Sequence, residues 1–290
     1  MIEHLGNRSE TRMSARSELI QWQKRWAEAK GLSPDSKGYL PELESNLLRP
    51  LSASAKSGFN RGSGSELLDG PTRPAKMKAL HSSSALAVNF FDSWTVRDRE
   101  PLRNALGIDK NILGIHFEKQ YSTGLTGNPP NLDVALELEG GVTIAIESKF
   151  SEWLTPKPKN KESFKPKYFS SDEGLWANRG LVASEELARC IHVGDARFRY
   201  LDAPQLLKHA LGLVTQVGRR FRLWYVYLEW SGKESNAHTT EIDLFSQIVG
   251  DELAFRALTY QEVLVGIRRQ PDIDRDYLEY LEGRYDGPPD

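Results

Sequence analysis

Cysteine is almost absent: Cys190 stands alone in 290 residues. An internal disulfide is excluded and a reducing compartment fits. No apolar run approaches the roughly 20 residues that cross a bilayer, and Met1-Ile2-Glu3-His4 does not open a signal peptide, so a cytoplasmic protein is expected. Positive charge is not in excess either, the net formal charge being -2. That excludes a generally basic nucleic-acid binder and confines any phosphate-binding surface to a local patch. There is no internal repeat. What is present, 39% hydrophobic and 27% charged residues, suits a globular chain able to bury a full core as one large domain, or one domain with an appendage.

The most ordered pattern runs from Asn131 to Lys149. Val134, Leu136 and Leu138 alternate with Asp133, Ala135 and Glu137. After Gly140-Gly141, Val142, Ile144 and Ile146 alternate with Thr143, Ala145, Glu147 and Lys149. This is a hairpin with one apolar side. Its register depends on the turn. A two-residue Gly-Gly loop sets Asp133 opposite Ser148 and sends Glu147 to the other face, whereas a three-residue connection, Glu139 to Gly141, sets Asp133 opposite Glu147. If the acids act together, an odd loop or an equivalent bulge is expected. Two carboxylates that close repel unless a cation lies between them, and hard oxygen ligands completed by water and phosphate suit Mg²⁺. Lys149, on the same face, would position or help deprotonate a water attacking phosphorus. A Glu-x-Lys triplet alone is commonplace, and Glu147 with Lys149 could be only a solvent-facing pair. The conjunction of triplet, apolar strand and opposed acid favours chemistry.

On these residues the chain resembles the PD-(D/E)xK nuclease superfamily, with Asp133 as first acid, Leu132 in place of the usual proline, and Glu147-Ser148-Lys149 as the ExK element. The wider pattern is similar to the bacterial restriction-endonuclease-like branch. It comprises Ser82 to Phe91, Phe117-Glu118, Asn131-Leu132-Asp133, Ile146 to Glu152 and Gln205 to His209, in order across about residues 76 to 265. The resemblance implies an α/β (α+β) restriction-endonuclease-like core, a mixed four-stranded sheet flanked by helices in the order αβββαβ. It also implies that Glu118 and the Ser148 carbonyl join Asp133 and Glu147 around Mg²⁺, with Mn²⁺ as a substitute, and that Gln205 lies over the scissile phosphate or a metal-bound water. By residue type alone, Glu118 could equally be an exposed strand acid and Gln205 a first-turn polar residue. His116 has no second His or Cys at ligand spacing, so zinc is not expected.

Other stretches divide the chain into an N-terminal helical extension with a linker (1–75), the core (76–270) and a tail (271–290). Ser9 to Lys30 reads as a helix with Leu19, Trp22, Trp26 and Ala29 on one stripe. Tyr39 to Leu48 reads as a short second helix, and Ser52 to Pro74 as a linker or surface loop. Ser82 to Ser84 cap a core helix in which Asn89 has a structural role. Ile112 to Tyr121 is a strand. Lys157, Lys159, Lys161, Lys165 and Lys167, among prolines and aromatics, form the expected DNA-backbone contact, with Phe164 and Tyr168 anchoring the loop. Asp202-Ala203-Pro204 opens a helix to Val217 that carries Gln205 and His209, and His209 is read as a packed residue. Phe221 to Trp230 is a strand, Glu241 to Val249 a helix, and Thr259 with Glu262 caps another.

The expectation is a Mg²⁺-dependent DNA endonuclease, a restriction or defence enzyme. A homodimer would give it two symmetric sites, and no membrane partner is expected. The alternatives are a non-catalytic nucleic-acid-binding module on the same scaffold, or a cytoplasmic assembly protein.

Overall fold

A computed structural model describes residues 13–62, 65–158, 164–169 and 174–287. Four helices come first: α1 (Ala15–Ala29), α2 (Ala53–Arg61), α3 (Ser83–Phe91) and α4 (Glu100–Ala105). Three antiparallel strands follow, β1 (Ile112–Gln120), β2 (Asn131–Leu138) and β3 (Val142–Lys149), where the sequence alternates between apolar and polar residues. The chain then crosses through α5 (Val182–Val193) and α6 (Ala203–Val217) to β4 (Phe221–Tyr227), which lies parallel to β3. Another crossover, α7 (Lys233–Leu253), leads to β5 (Arg256–Thr259), parallel to β4. Parallel neighbours need such crossovers because a tight turn can join only antiparallel strands. Helices α8 (Tyr260–Arg268) and α9 (Arg275–Tyr285) complete the described chain.

The result is a mixed five-stranded sheet in the order β1-β2-β3-β4-β5 with helices on both faces. Val134, Leu136, Ile144 and Ile146 pack with Phe90, Phe91, Tyr260 and Tyr285 on one side. Ala135, Ala145, Leu223 and Tyr225 pack with Leu207, Leu211 and Phe245 on the other. Two apolar faces on one sheet demand two covering layers.

The sheet has five strands, not the expected four. The added β5 has only four residues, too few for a visible alternation, and its last, Thr259, also caps α8 in a reciprocal pair with Glu262. The stretch read as a linker contains α2, capped by Ser52, with Ala55, Gly58 and Phe59 buried. Three apolar or small positions at i, i+3 and i+4 are enough to seat a short helix, with Ser54 donating to the Ile115 carbonyl of β1 at 3.1 Å while Lys56 and Ser57 face outward. The polar approach to residue 241 is the first part of α7, and the stretch from 271 holds α9, whose Tyr277, Leu281, Arg284 and Tyr285 are buried. In α1 the buried face is Ala15, Leu19, Gln23, Trp26 and Ala27, with Ala29 exposed; the expected start at Ser9 lies outside the described residues. The expected second helix is one 3-10 turn, Glu44–Asn46.

Helix α2 crosses β1 closely because Gly58 has no side chain. A Cβ there would lie 2.3 Å from the Phe117 carbonyl oxygen. Gly58→Ala is expected to lower stability by about 1–3 kcal/mol through forced separation of the two elements. Urea unfolding checks this, and a loss under about 0.5 kcal/mol would contradict the close approach.

Candidate active site

The connection between β2 and β3 settles the position of the acids. Leu138 pairs with Val142, leaving Glu139, Gly140 and Gly141 as a three-residue turn. Both glycines are left-handed, at φ 78° and 73°, a conformation that excludes most side chains. The register Val134 with Ile146, carried one step further, sets Asp133 opposite Glu147. The ladder ends there. Continued, it would bring Ser148 opposite Leu132, but the Ser148 amide instead donates to Asp133 Oδ2 at 2.7 Å. The aspartate is thereby oriented by its neighbouring strand.

The next strand adds a third carboxylate. Phe117 pairs with Val134 and Lys119 with Leu132, so Glu118 falls opposite Asp133. Glu118 has φ 51°, a left-handed conformation that costs on the order of 1 kcal/mol for a residue with a side chain. Its Oε2 accepts from Asn131 Nδ2 at 2.6 Å, and a Cβ on Gly62 would come within 3.1 Å of the same oxygen. Burial and then the charge of Glu66 push the Glu118 carboxyl up to about 7.

On the α6 side, Glu147 is fully buried. Its Oε1 accepts from Lys149 Nζ at 2.5 Å. Its Oε2 lies 2.9 Å from His209 Nε2, but the two atoms are not aligned for a hydrogen bond and have no hydrogen-bond partner among the described residues. Lys149 also donates to Gln205 Oε1 at 3.3 Å. Gln205 sits in the first turn of α6, whose cap Asp202 accepts from the Gln205 amide at 3.2 Å. One turn later His209 comes to the same strand. The structure therefore brings Asp133, Glu147, Lys149 and Gln205 together with His209, a residue the sequence reading left as packing. The four-residue spacing from Gln205 was its only signal.

The electrostatics follow from burial and mutual charge. Burial would raise the Glu147 carboxyl, but Lys149 and His209 outweigh it and hold it at about 2. Burial and then the charge of Glu147 push Asp133 well above the ordinary carboxylate range. Burial would lower the Lys149 ammonium, yet Glu147 and Asp133 raise it well above its ordinary value. A centre that drives one carboxylate toward protonation has a surplus of negative charge, and a divalent cation would relieve it. Among the described residues no three His, Cys, Asp or Glu side chains are gathered closely enough to hold a metal. A donor set of two carboxylates completed by water fits Mg²⁺, which keeps several waters when protein-bound.

Behind the site, Tyr225 pairs with Glu147 across the parallel ladder, and its hydroxyl lies 2.9 Å from His238 Nε2. His238 stacks on Trp153 at 4.3 Å. Burial pushes this imidazole down from 6.5 to about 4. The unfolded chain therefore binds the extra proton first as pH falls. The stability due to a neutral His238 is complete above about 6.5 and is lost down to about 4, on the order of 3 kcal/mol in all. His238→Gln should flatten this part of the stability–pH curve in urea titrations. An unchanged slope would remove His238 as its cause.

The lysine-rich segment is less open than expected. Lys157 pairs with Asp202 at 2.8 Å, and Lys167 donates to the Thr126 carbonyl. Lys165 is exposed, while Lys159 and Lys161 lie outside the described residues. Phe164 and Tyr168 are buried against Trp176, in the anchoring role read from the sequence. No helix among the described residues is long and apolar enough to cross a membrane.

The curated proteins and the solved structures offer no match. One family model, described as Restriction Endonuclease associating with ARP, matches residues 13–286. The match spans the whole sheet, the opposed acids and the helices that cover them. The chain belongs to this restriction-endonuclease family.

Proposed function

We propose that the protein is a Mg²⁺-dependent DNA endonuclease whose cleavage centre is Asp133, Glu147 and Lys149. The observation that carries this is the odd-length turn, which brings acid opposite acid while Lys149 bonds to the second of them. Family membership supports nuclease-type chemistry on DNA. Asp133 and Glu147 would hold the ion, with the Ser148 carbonyl as a further oxygen donor and Mn²⁺ as a substitute, and Glu118, not gathered with the other two acids, would contribute through a bridging water. When bound, the ion supplies Lewis acidity toward a phosphoryl oxygen.

The remaining work falls to the chain's own groups. The Ser148 amide fixes one Asp133 oxygen. Lys149 holds the Glu147 carboxylate on one side, and His209 Nε2 lies 2.9 Å from its other oxygen. The Lys149 ammonium, tethered by Glu147 and Gln205, donates to the attacking water or to a nonbridging phosphate oxygen. Such fixed donors act by favouring charge that develops in the transition state. Lys157, Lys165 and Lys167 would meet the DNA backbone, making binding salt-dependent and largely blind to sequence. A twofold dimer would cut both strands. The family description names an association with ARP, which we extend to this chain.

Incubation with supercoiled plasmid and Mg²⁺ tests the reading. Nicking or linearisation is expected, abolished by EDTA and slowed about 10²–10³-fold in Asp133→Asn, with DNA binding by mobility shift retained. Binding without cutting across a panel of DNAs would make the protein a binding module.

A further inference from the structure

Beside the cleavage centre lies a cavity of about 370 Å³. Gln205 belongs to both, since it lines the cavity and accepts from Lys149 at 3.3 Å. The lining is of two kinds. Phe198, Ile191 and neighbouring prolines supply an apolar floor, and Arg197, Arg199 and Lys208 supply cationic groups. The guanidinium-bearing residues Arg197 and Arg199 are exposed. The fourth cation, Lys157, pairs with the one lining acid, Asp202. The loop is firmly built, because Glu241 of α7 accepts from the amides of Arg199, Tyr200 and Leu201, each at 2.8 Å.

These dimensions select among forms of DNA. Small-ligand pockets run from roughly 300 to 1,000 Å³, so this one has room for a single nucleotide. A duplex, whose major groove alone is about 12 Å wide, does not enter it. An apolar floor under a cationic rim suits a base whose phosphates stay at the mouth, the pattern by which unpaired strands are held.

We propose that this cavity takes one unpaired nucleotide of the strand being cut, its base over Phe198 and its flanking phosphates on Arg197 and Arg199. The preferred substrate then carries unpaired nucleotides next to the scissile phosphate. This rests on Asp133, Glu147 and Lys149 being the cleavage centre. Positioning at the cavity would act through Gln205, which ties the occupied pocket to the Lys149 ammonium.

The test compares a fully paired duplex with the same duplex carrying a short unpaired bubble, cut by the full chain with Mg²⁺. Direct binding of deoxyadenosine 5′-monophosphate is measured by calorimetry. The bubble should be cut about tenfold faster, near the lower end of what stacking one base is worth. That ratio should fall to near one in Arg197→Glu/Arg199→Glu and in Ala196→Trp, which fills the cavity without removing a core side chain. Melting curves confirm that both variants are folded. Equal cutting of both DNAs by the unaltered protein, or a ratio unmoved in both variants, overturns the assignment while leaving the cleavage centre intact. If no DNA is cut, the cleavage reading fails and the mononucleotide decides alone. Binding lost in Ala196→Trp upholds the pocket, and absence of binding overturns it.

Discussion

Lys149→Met should cut DNA about 10²–10³-fold more slowly than the unaltered chain, the usual loss when one preorganised donor is removed. Methionine keeps much of the stem and deletes the ammonium that bonds Glu147 Oε1 at 2.5 Å and Gln205 at 3.3 Å. The Glu147 carboxyl, held at about 2 by Lys149 together with His209, should then rise. Breaking a fully buried pair costs about 3–5 kcal/mol. Here the loss should be smaller, because the Lys149 side chain is 16% exposed. The protein should therefore stay folded at 25 °C with a lowered melting point. His209→Asn provides the comparison, since it disturbs the same carboxylate from the other side without touching the ammonium. A purely structural lysine would make the two variants lose rate in proportion to lost stability. A lysine that acts on DNA makes Lys149→Met slower at saturating DNA than its melting point explains. A Lys149→Met rate within about tenfold of the unaltered enzyme would remove Lys149 from the cleavage step.

Arg284→Met should lower the unfolding free energy by about 3–5 kcal/mol, and the melting point by about 10 °C. Arg284 is fully buried, and its recorded partners among the described residues are all neutral. Nε donates to Gln23 Oε1 at 3.0 Å, Nη1 to the Asn46 carbonyl at 2.9 Å, and Nη2 to Asn46 Oδ1 at 2.5 Å. Its guanidinium also lies 4.2 Å from the Trp26 ring centre and 4.9 Å from that of Tyr285. Arginine cannot shed its proton in a protein, so these acceptors and ring faces must solvate a permanent charge. Deleting the fork leaves several buried acceptors unmet at once, the circumstance in which a lost hydrogen bond is most costly. Arg284→Lys keeps the charge without the fork geometry and should fall between the two. Urea unfolding measures the series, and a cost below about 1 kcal/mol for the methionine variant would show that the pocket relaxes around the loss.

The hairpin was legible because strand alternation and turn parity are local. Ala135, Ala145 and the opposed acids could be assigned to one face from spacing alone, and the odd turn followed from requiring Asp133 and Glu147 to cooperate. Helix α6 was legible for the same reason, its cap and first-turn proline lying next to its apolar stripe. Whatever depends on distant chain was not. His209 meets Glu147 across 62 positions of sequence, and its own neighbourhood marks it only by the four-residue spacing from Gln205. Helix α2 owes its existence to the underside of β1, which its serine-rich composition does not report. Strand β5 borrows its pairing from Trp224 to Tyr227. Glu118 was read as a third acid on a regular strand, and the left-handed backbone it adopts beside Gly62 and Asn131 left no mark in the alternation of Ile112 to Tyr121.

The link between Arg284 and Gln23 joins residues 261 positions apart. On a ribosome extending the chain at about 5–20 residues per second, α1 is finished tens of seconds before its arginine exists. Through that interval Trp26 lacks the Tyr280 ring and the Arg284 guanidinium that later cover it. Helix α1, made long before α9, is thus among the last to be secured, and a chaperone that shields exposed apolar side chains has a long opportunity there.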